Sequence, residues 1–205
     1  MHINWLGQTC VKLQSKNLKD EDVVILIDAY KPDKGDFPRS FSPNIALFSN
    51  GQDKAATLSQ NPLVADTLGE YEAKDIMVYA LPGPDGKLIF KIIAEGLTVI
   101  HLGRLNKKLT QDMLNQLGNP DILLIPAGGG NYLSAEIAAE TVTALEPRIV
   151  IPIALQCDTD PKTGTVNDFI KQIGLKPEAT EKKIIVKKKD LPQEETKLMI
   201  LGKNY

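Results

Sequence analysis

Short apolar runs separated by turn residues dominate the first half of this 205-residue chain. β-Branched and other apolar residues recur over a few positions between clusters of Gly, Asp, Pro and Asn, a pattern typical of strands. It predicts strands at residues 3–6, 10–13, 23–27, 45–48, 76–81 and 87–93. Residues 82–86, with the sequence PGPDG, have strong turn chemistry, so the last two strands are expected to form a hairpin.

The second half alternates strands with helices. Buried strands are predicted at residues 97–102, 122–125 and 149–153, and helices at residues 110–117, 134–145 and 167–174. Thr110 and Ser134 are the expected N-caps, and Gly174 the expected C-cap. The segments 182–188 and 197–201 are predicted to close the fold as a pair of strands. This order favours a single α/β domain over residues 1–205, with α+β layers in which helices cover sheets.

Composition limits the classes of function. The chain has 24 basic and 26 acidic residues and a net charge of -2, so we expect neither nucleic acid nor a membrane surface as a partner. Its first residues lack a signal-peptide pattern, and no stretch approaches the roughly 18 apolar residues of a membrane span, so a cytoplasmic protein is expected. Cys10 and Cys157 are too few for a disulfide framework, and Cys10 is expected in the core.

Several separated motifs occur in an order that is similar to one family. They are the opening INWLGQTC, ILID ending at Asp28, GEYE at residues 69–72, PAGGG at residues 126–130 followed by SAE, and IVIPI at residues 149–153. Over residues 3–154 the chain resembles the small bacterial, lactonase-like branch of metal-dependent hydrolases with the metallo-β-lactamase fold. The resemblance implies a four-layer αββα sandwich with metal-binding loops at one edge of its two sheets.

The resemblance also implies metal ligands, and the first ligand loop is changed here. Active members carry a His-x-His-x-Asp-His loop, and Asn50 and Gln52 stand where its first two histidines belong. The aspartate and last histidine map to Lys54 and Ala55 without a gap, or to Asp53 and Lys54 with a one-residue deletion. Either register brings a lysine into the ligand set, where its charge opposes metal binding.

Two further ligand positions are changed. The family has His-Leu-Gly-Asp-Leu where this chain has HLGRL, so His101 remains and Arg104 replaces a bridging carboxylate. The final histidine maps to Ala154. Because zinc needs three or four good donors, we expect no metal cofactor. His101 with Asp53 and Asp28 falls short of such a set in number and type. The alternative is a single zinc or manganese ion held by His101 and further, unrecognised ligands.

The replaced positions predict an altered, cationic pocket. Candidates for binding an anion there, if the fold is kept, are Lys54, His101, Arg104 and Gly129. The favoured alternative is that Arg104 pairs inside the protein with one of three carboxylates, those of Asp28, Asp53 and Glu70. In that case Arg104 takes over the structural role of the metal.

Three function classes follow. The preferred one is a degenerate, non-catalytic member of the fold that binds a small anionic ligand or a protein partner, with self-association into a homo-oligomer as a further possibility. The second is a metal-dependent hydrolase of an ester, lactone or phosphoester with atypical ligands. The third is metal-free catalysis, with His101 as general base and Arg104 stabilising an oxyanion.

Overall fold

The computed structural model describes residues 1–204 of the chain. The first half forms β1 (His2–Gly7), β2 (Cys10–Lys16), β3 (Asp22–Ile27), β4 (Ser40–Phe41), β5 (Ile45–Leu47), β6 (Thr57–Leu58), β7 (Leu63–Ala65), β8 (Gly69–Ala73), β9 (Ile76–Pro82) and β10 (Leu88–Ala94). The second half forms β11 (Leu97–His101), α1 (Gln111–Leu117), β12 (Ile122–Pro126), α2 (Ala135–Leu145), β13 (Ile149–Ile153), α3 (Val166–Ile173), β14 (Pro177–Glu181), β15 (Ile184–Ile185) and β16 (Lys197–Leu201).

Two large sheets enclose the main core. The first has the strand order β15-β1-β2-β3-β5-β7, and the second has the order β14-β16-β13-β12-β11-β10-β9-β8. Side chains alternate between the two faces of a strand, so Ile25 and Ile27 of β3 join the main core whereas Leu26 between them joins a separate cluster on the outside. This sandwich confirms the predicted fold class.

The two outer layers of the sandwich differ in kind. On the second sheet, α2 contacts β12 and both other helices. Over residues 1–204, no helix precedes α1 apart from a single 3₁₀ turn. The outer face of the first sheet is instead covered by irregular chain and the two-stranded β4–β6 ribbon. Phe37 stacks there between Tyr30 and Phe41, with ring centroids 4.3 and 5.5 Å apart. Cys10 is buried in this outer cluster, as expected for a core residue.

The helix caps and the hairpin predicted from the sequence are present in the structure. Thr110 Oγ1 accepts a hydrogen bond from the Met113 amide at 3.3 Å, and Ser134 Oγ accepts one from the Ile137 amide at 3.2 Å. Gly174 ends α3 with a φ of 69°. The strands β9 and β10 pair antiparallel around the predicted turn. These agreements follow because caps and turns depend on neighbouring residues alone.

The segment 197–201 forms the predicted strand, but its pairing with the segment 182–188 as a closing pair is wrong. Of residues 182–188, only Ile184 and Ile185 form a strand, which pairs antiparallel with β1 in the first sheet. The strand β16 pairs in parallel with β13 in the second sheet. The strand β15 lies at the edge of the first sheet, whereas β16 lies inside the second sheet between β14 and β13. This arrangement depends on the assembled sandwich. No helix within residues 1–204 is long and apolar enough to cross a membrane.

Candidate functional site

The positions that the sequence comparison singled out lie at one edge of the sandwich. Asp28 follows β3, Ser49 lies just beyond β5, His101 ends β11 and Ala154 follows β13. Within each sheet these strands run parallel, β3 with β5 and β11 through β12 with β13, so their carboxyl ends gather at one edge. This is the edge where open α/β sheets place their binding sites.

A cleft of about 550 Å³ opens at this edge. Of the predicted pocket residues, Asn50, Asp53, Lys54 and Arg104 line it. The other predicted positions are Gln52, His101, Gly129 and Ala154, which do not belong to its lining. The amide of Gln52 donates instead to Asp66 at 2.7 Å. Of Lys54, His101 and Arg104, which were expected to converge, Lys54 and Arg104 line the same cleft and His101 does not.

His101 is fully buried, and both of its ring nitrogens are engaged. The Gly103 amide donates to Nδ1 at 2.9 Å, so Nδ1 acts as an acceptor and Nε2 carries the proton. Nε2 donates to the Thr9 carbonyl, also at 2.9 Å. Burial lowers the pKa of His101, against the opposing effect of the Asp28 charge. His101 is thus a neutral core residue that cannot reach a substrate in the cleft, which contradicts its predicted role as a general base or anion donor.

Asp28 links three of the loops through Ser49. Its carboxylate accepts two hydrogen bonds of 2.7 Å, one from the Ser49 amide and one from the Ser49 hydroxyl. The same hydroxyl accepts a bond from the Arg104 amide at 3.2 Å. Because Asp28 and Ser49 are buried, these bonds join the loops after β3, β5 and β11 away from water.

The direct contacts of the Arg104 side chain are with uncharged groups. Its Nη1 donates to Gln8 Oε1 at 3.2 Å, and its guanidinium carbon lies 5.7 Å from the centre of the Tyr132 ring. No carboxylate among residues 1–204 lies within ion-pair distance of it. The favoured internal ion pair is therefore wrong. The reason is geometric. Asp28 accepts both of its hydrogen bonds from Ser49, and Glu70 lies on β8, the edge strand of the second sheet. Asp53 is exposed and forms no ion pair with Arg104.

Two residues near Arg104, Tyr132 and Asp160, were not predicted from the sequence. Tyr132 presents its ring to Arg104 and donates its hydroxyl to Asp160 Oδ2 at 3.2 Å. Burial raises the pKa of Tyr132, which keeps the phenol protonated as a donor. Asp160 lines the cleft from a loop beyond the family-like segment. No motif in the sequence pointed to either residue.

The glycine loop packs against the end of β13. A Cβ atom on Gly128 would overlap the carbonyl oxygen of Ala154, so the two backbones approach closely. The Gly129 amide donates to the Leu133 carbonyl at 2.8 Å. That amide is committed within the loop, so the predicted use of Gly129 as an anion donor has no support in its geometry.

The donors at this edge do not fit a zinc or manganese centre. The mapped positions offer amide, ammonium, guanidinium and methyl groups and at most one carboxylate, that of Asp53. The one imidazole has its lone pair occupied by the Gly103 amide. Over residues 1–204, no three His, Cys, Asp or Glu side chains are grouped so that they could hold a metal ion.

Comparisons with known proteins agree with this fold. The profile of the β-lactamase superfamily domain matches residues 2–154. A UPF0173 metal-dependent hydrolase of Pyrococcus abyssi is 24% identical over 183 residues, covering 79% of this chain and 81% of the relative.

Solved structures are similar over most of the chain. A Thermotoga maritima protein assigned as a zinc-dependent hydrolase of the metallo-β-lactamase superfamily has a TM-score of 0.80 and 23% identity over 98% of both chains. Igni18, a metallo hydrolase of Ignicoccus hospitalis, has a TM-score of 0.62 and 16% identity over 84% of this chain and 90% of its own. The chain belongs to the β-lactamase superfamily domain family and has the metallo-β-lactamase fold.

Proposed function

We propose that this protein is a degenerate, non-catalytic member of the family that binds a small ligand through an anionic group at Arg104. The metal centre has been lost, and the Arg104 guanidinium takes its place at the same edge of the sandwich. The ligand enters the 550 Å³ cleft, a volume typical of sites for small molecules.

The observation that carries the proposal is the environment of Arg104. A guanidinium that lines a cleft and is held by an amide and an aromatic face keeps donors free for a carboxylate or phosphate. An arginine with a purely structural role is expected to pair with a carboxylate, and none lies within reach in residues 1–204.

The loop contacts support the loss of the metal. The loops that a metal joins in active members are joined here by the Asp28–Ser49–Arg104 hydrogen bonds. His101, the one retained ligand type, bonds to Thr9 and Gly103 through its two nitrogens. A folded edge of this kind needs no metal to hold its loops together.

Calorimetric titration with inorganic phosphate and with acetate, propionate and succinate tests the proposal. We expect at least one of these probes to bind, and Arg104→Gln to weaken it by about tenfold or more, because a charge-assisted hydrogen bond is lost. Arg39→Gln is the matched control, since Arg39 is exposed and does not line the cleft. Binding that Arg104→Gln leaves unchanged, or no binding of any probe, contradicts the proposal.

Family membership favours one alternative, a hydrolase of an ester, lactone or phosphoester that holds a single zinc or manganese ion. Elemental analysis of protein produced with added zinc or manganese distinguishes the two. Near-stoichiometric metal together with hydrolysis of such a substrate replaces our proposal, and metal-free protein that still binds the anionic probes supports it.

A further inference from the structure

The charges around the cleft are nearly balanced. Its lining contributes five cationic side chains, those of Lys31, Lys34, Lys54, Arg104 and Lys162. It also contributes four carboxylates, those of Asp28, Asp33, Asp53 and Asp160. The formal excess is a single positive charge, so a strongly polyanionic ligand is a poor match. The balance indicates a ligand whose own net charge is close to zero.

Two of these charged residues, Arg104 and Asp160, both contact Tyr132. The Arg104 guanidinium lies 5.7 Å from the ring centre of Tyr132, and Asp160 Oδ2 accepts the hydroxyl proton of the same tyrosine at 3.2 Å. Arg104 and Asp160 form no ion pair with each other, although both line the cleft. A cation and an anion are therefore held near each other, separate and facing the same space.

We propose that the ligand is a zwitterion of the α-amino acid class, with its carboxylate on Arg104 and its ammonium group on Asp160. This inference rests on the proposed function, because it assumes that Arg104 binds an anionic group. The inference adds the requirement that the ligand carries a positive group beside its carboxylate.

The chemistry of the two side chains suits this assignment. A guanidinium presents a planar fork that matches a carboxylate with two parallel hydrogen bonds. Tyr132 donates to one oxygen of Asp160, and within residues 1–204 the other oxygen has no hydrogen-bond partner, so it is left to accept from an ammonium group. Pro32 and Pro161 also line the cleft, where they can contact an apolar ligand side chain.

The test compares ligands that differ only in the ammonium group. The pairs are alanine with propionate, leucine with 4-methylpentanoate, and phenylalanine with 3-phenylpropionate, each titrated by calorimetry or ligand-observed NMR. We expect at least one amino acid to bind about tenfold more tightly than its partner, since a charged hydrogen bond is worth this much or more.

Substitutions of Asp160 and Arg104 test whether these two side chains cause the preference for amino acids over their matched acids. Asp160→Asn keeps the acceptor for Tyr132 but removes the charge, so we expect it to abolish the preference for each amino acid over its matched acid. Arg104→Gln is expected to weaken both members of each pair. Asp112→Asn is the matched control, because Asp112 is exposed on α1 outside the cleft.

The outcomes separate the two proposals. If acids bind through Arg104 but the amino acids bind no better, the zwitterion is wrong and the proposed function stands. If inorganic phosphate binds more tightly than every amino acid, the charge-balance argument is overturned. If no probe depends on Arg104, both proposals fail.

Discussion

The backbone amide of Gly103 donates a hydrogen bond to Nδ1 of His101 at 2.9 Å. Gly103 has a φ of 57°, and a Cβ atom there would overlap the side chain of Ser49, so glycine is required at this turn. The bond fixes the neutral imidazole with its proton on Nε2. In active members this turn carries a histidine that binds the metal. Here the Nδ1 lone pair of His101 is occupied by the Gly103 amide.

This geometry predicts how stability depends on pH. Burial lowers the pKa of folded His101, so the unfolded chain takes up a proton first as the pH falls. The contribution of His101 to the free energy of unfolding is complete above about pH 6.5 and decreases below it, by at most about 1.4 kcal/mol per pH unit. Urea unfolding of the wild type between about pH 7.5 and 5.5 measures this slope.

The His101→Gln variant isolates the effect. Its amide can still donate to Thr9 but cannot be charged, so we expect lower stability at neutral pH and a flatter dependence below it. His2→Gln is the matched control, since His2 is the other histidine in the chain. A slope in His101→Gln as steep as that of the wild type contradicts the assignment.

A second prediction concerns Ser49. Replacing it with alanine removes the hydroxyl that Asp28 and the Arg104 amide share, and leaves part of a buried carboxylate without a donor. We expect a loss of about 1–3 kcal/mol in the free energy of unfolding. If the metal centre is lost, as we propose, chelation by EDTA should leave the Tm of the wild type unchanged.

Thermal and urea unfolding of Ser49→Ala give the measurement. Ser59→Ala is the control, because Ser59 is exposed and bonds through its backbone. A drop in the wild-type Tm with EDTA, restored by zinc or manganese, shows instead that a metal supports this edge.

Much of the fold could be predicted from local signals. Strands such as β3 are short apolar runs between turn residues, and the caps at Thr110 and Ser134 need only the residues of their own first turn. The edge strand β8 was missed because GEYEA is largely exposed and carries little apolar signal. Pairing of β15 with β1 joins residues far apart in sequence, which no local pattern encodes.

Part of the site was predictable from the motifs that resemble the family. The changed ligand positions pointed to Lys54 and Arg104, and both line the cleft. The sequence could not show that Gly103 occupies the His101 lone pair, because that depends on backbone direction after β11. Nor could it show that Asp160 reaches Tyr132 from a loop 28 residues away.

A third prediction follows from the burial of Cys10. Burial raises the pKa of its thiol well above the usual value, with a smaller contribution from the Asp28 charge, so almost no thiolate exists at neutral pH. Cys157 is half-buried and near Thr159. With iodoacetamide, followed by peptide mass spectrometry, we expect native protein to be modified at Cys157 and both cysteines to react in urea. Labelling of native Cys10 as fast as in urea contradicts this packing.

The contact between Gly128 and Ala154 gives a fourth prediction. Gly128→Ala places a methyl group against the Ala154 carbonyl oxygen, which is backbone and cannot swing away. We expect a loss of about 1–3 kcal/mol from overpacking, and weaker binding of anionic probes if the shift reaches the adjoining cleft. Gly202→Ala is the matched control, because its nearest contact is an ordinary 3.9 Å from the Glu181 carbonyl oxygen. Equal stabilities of the two variants in urea contradict the close approach, since only Gly128 has backbone in the path of its new methyl group.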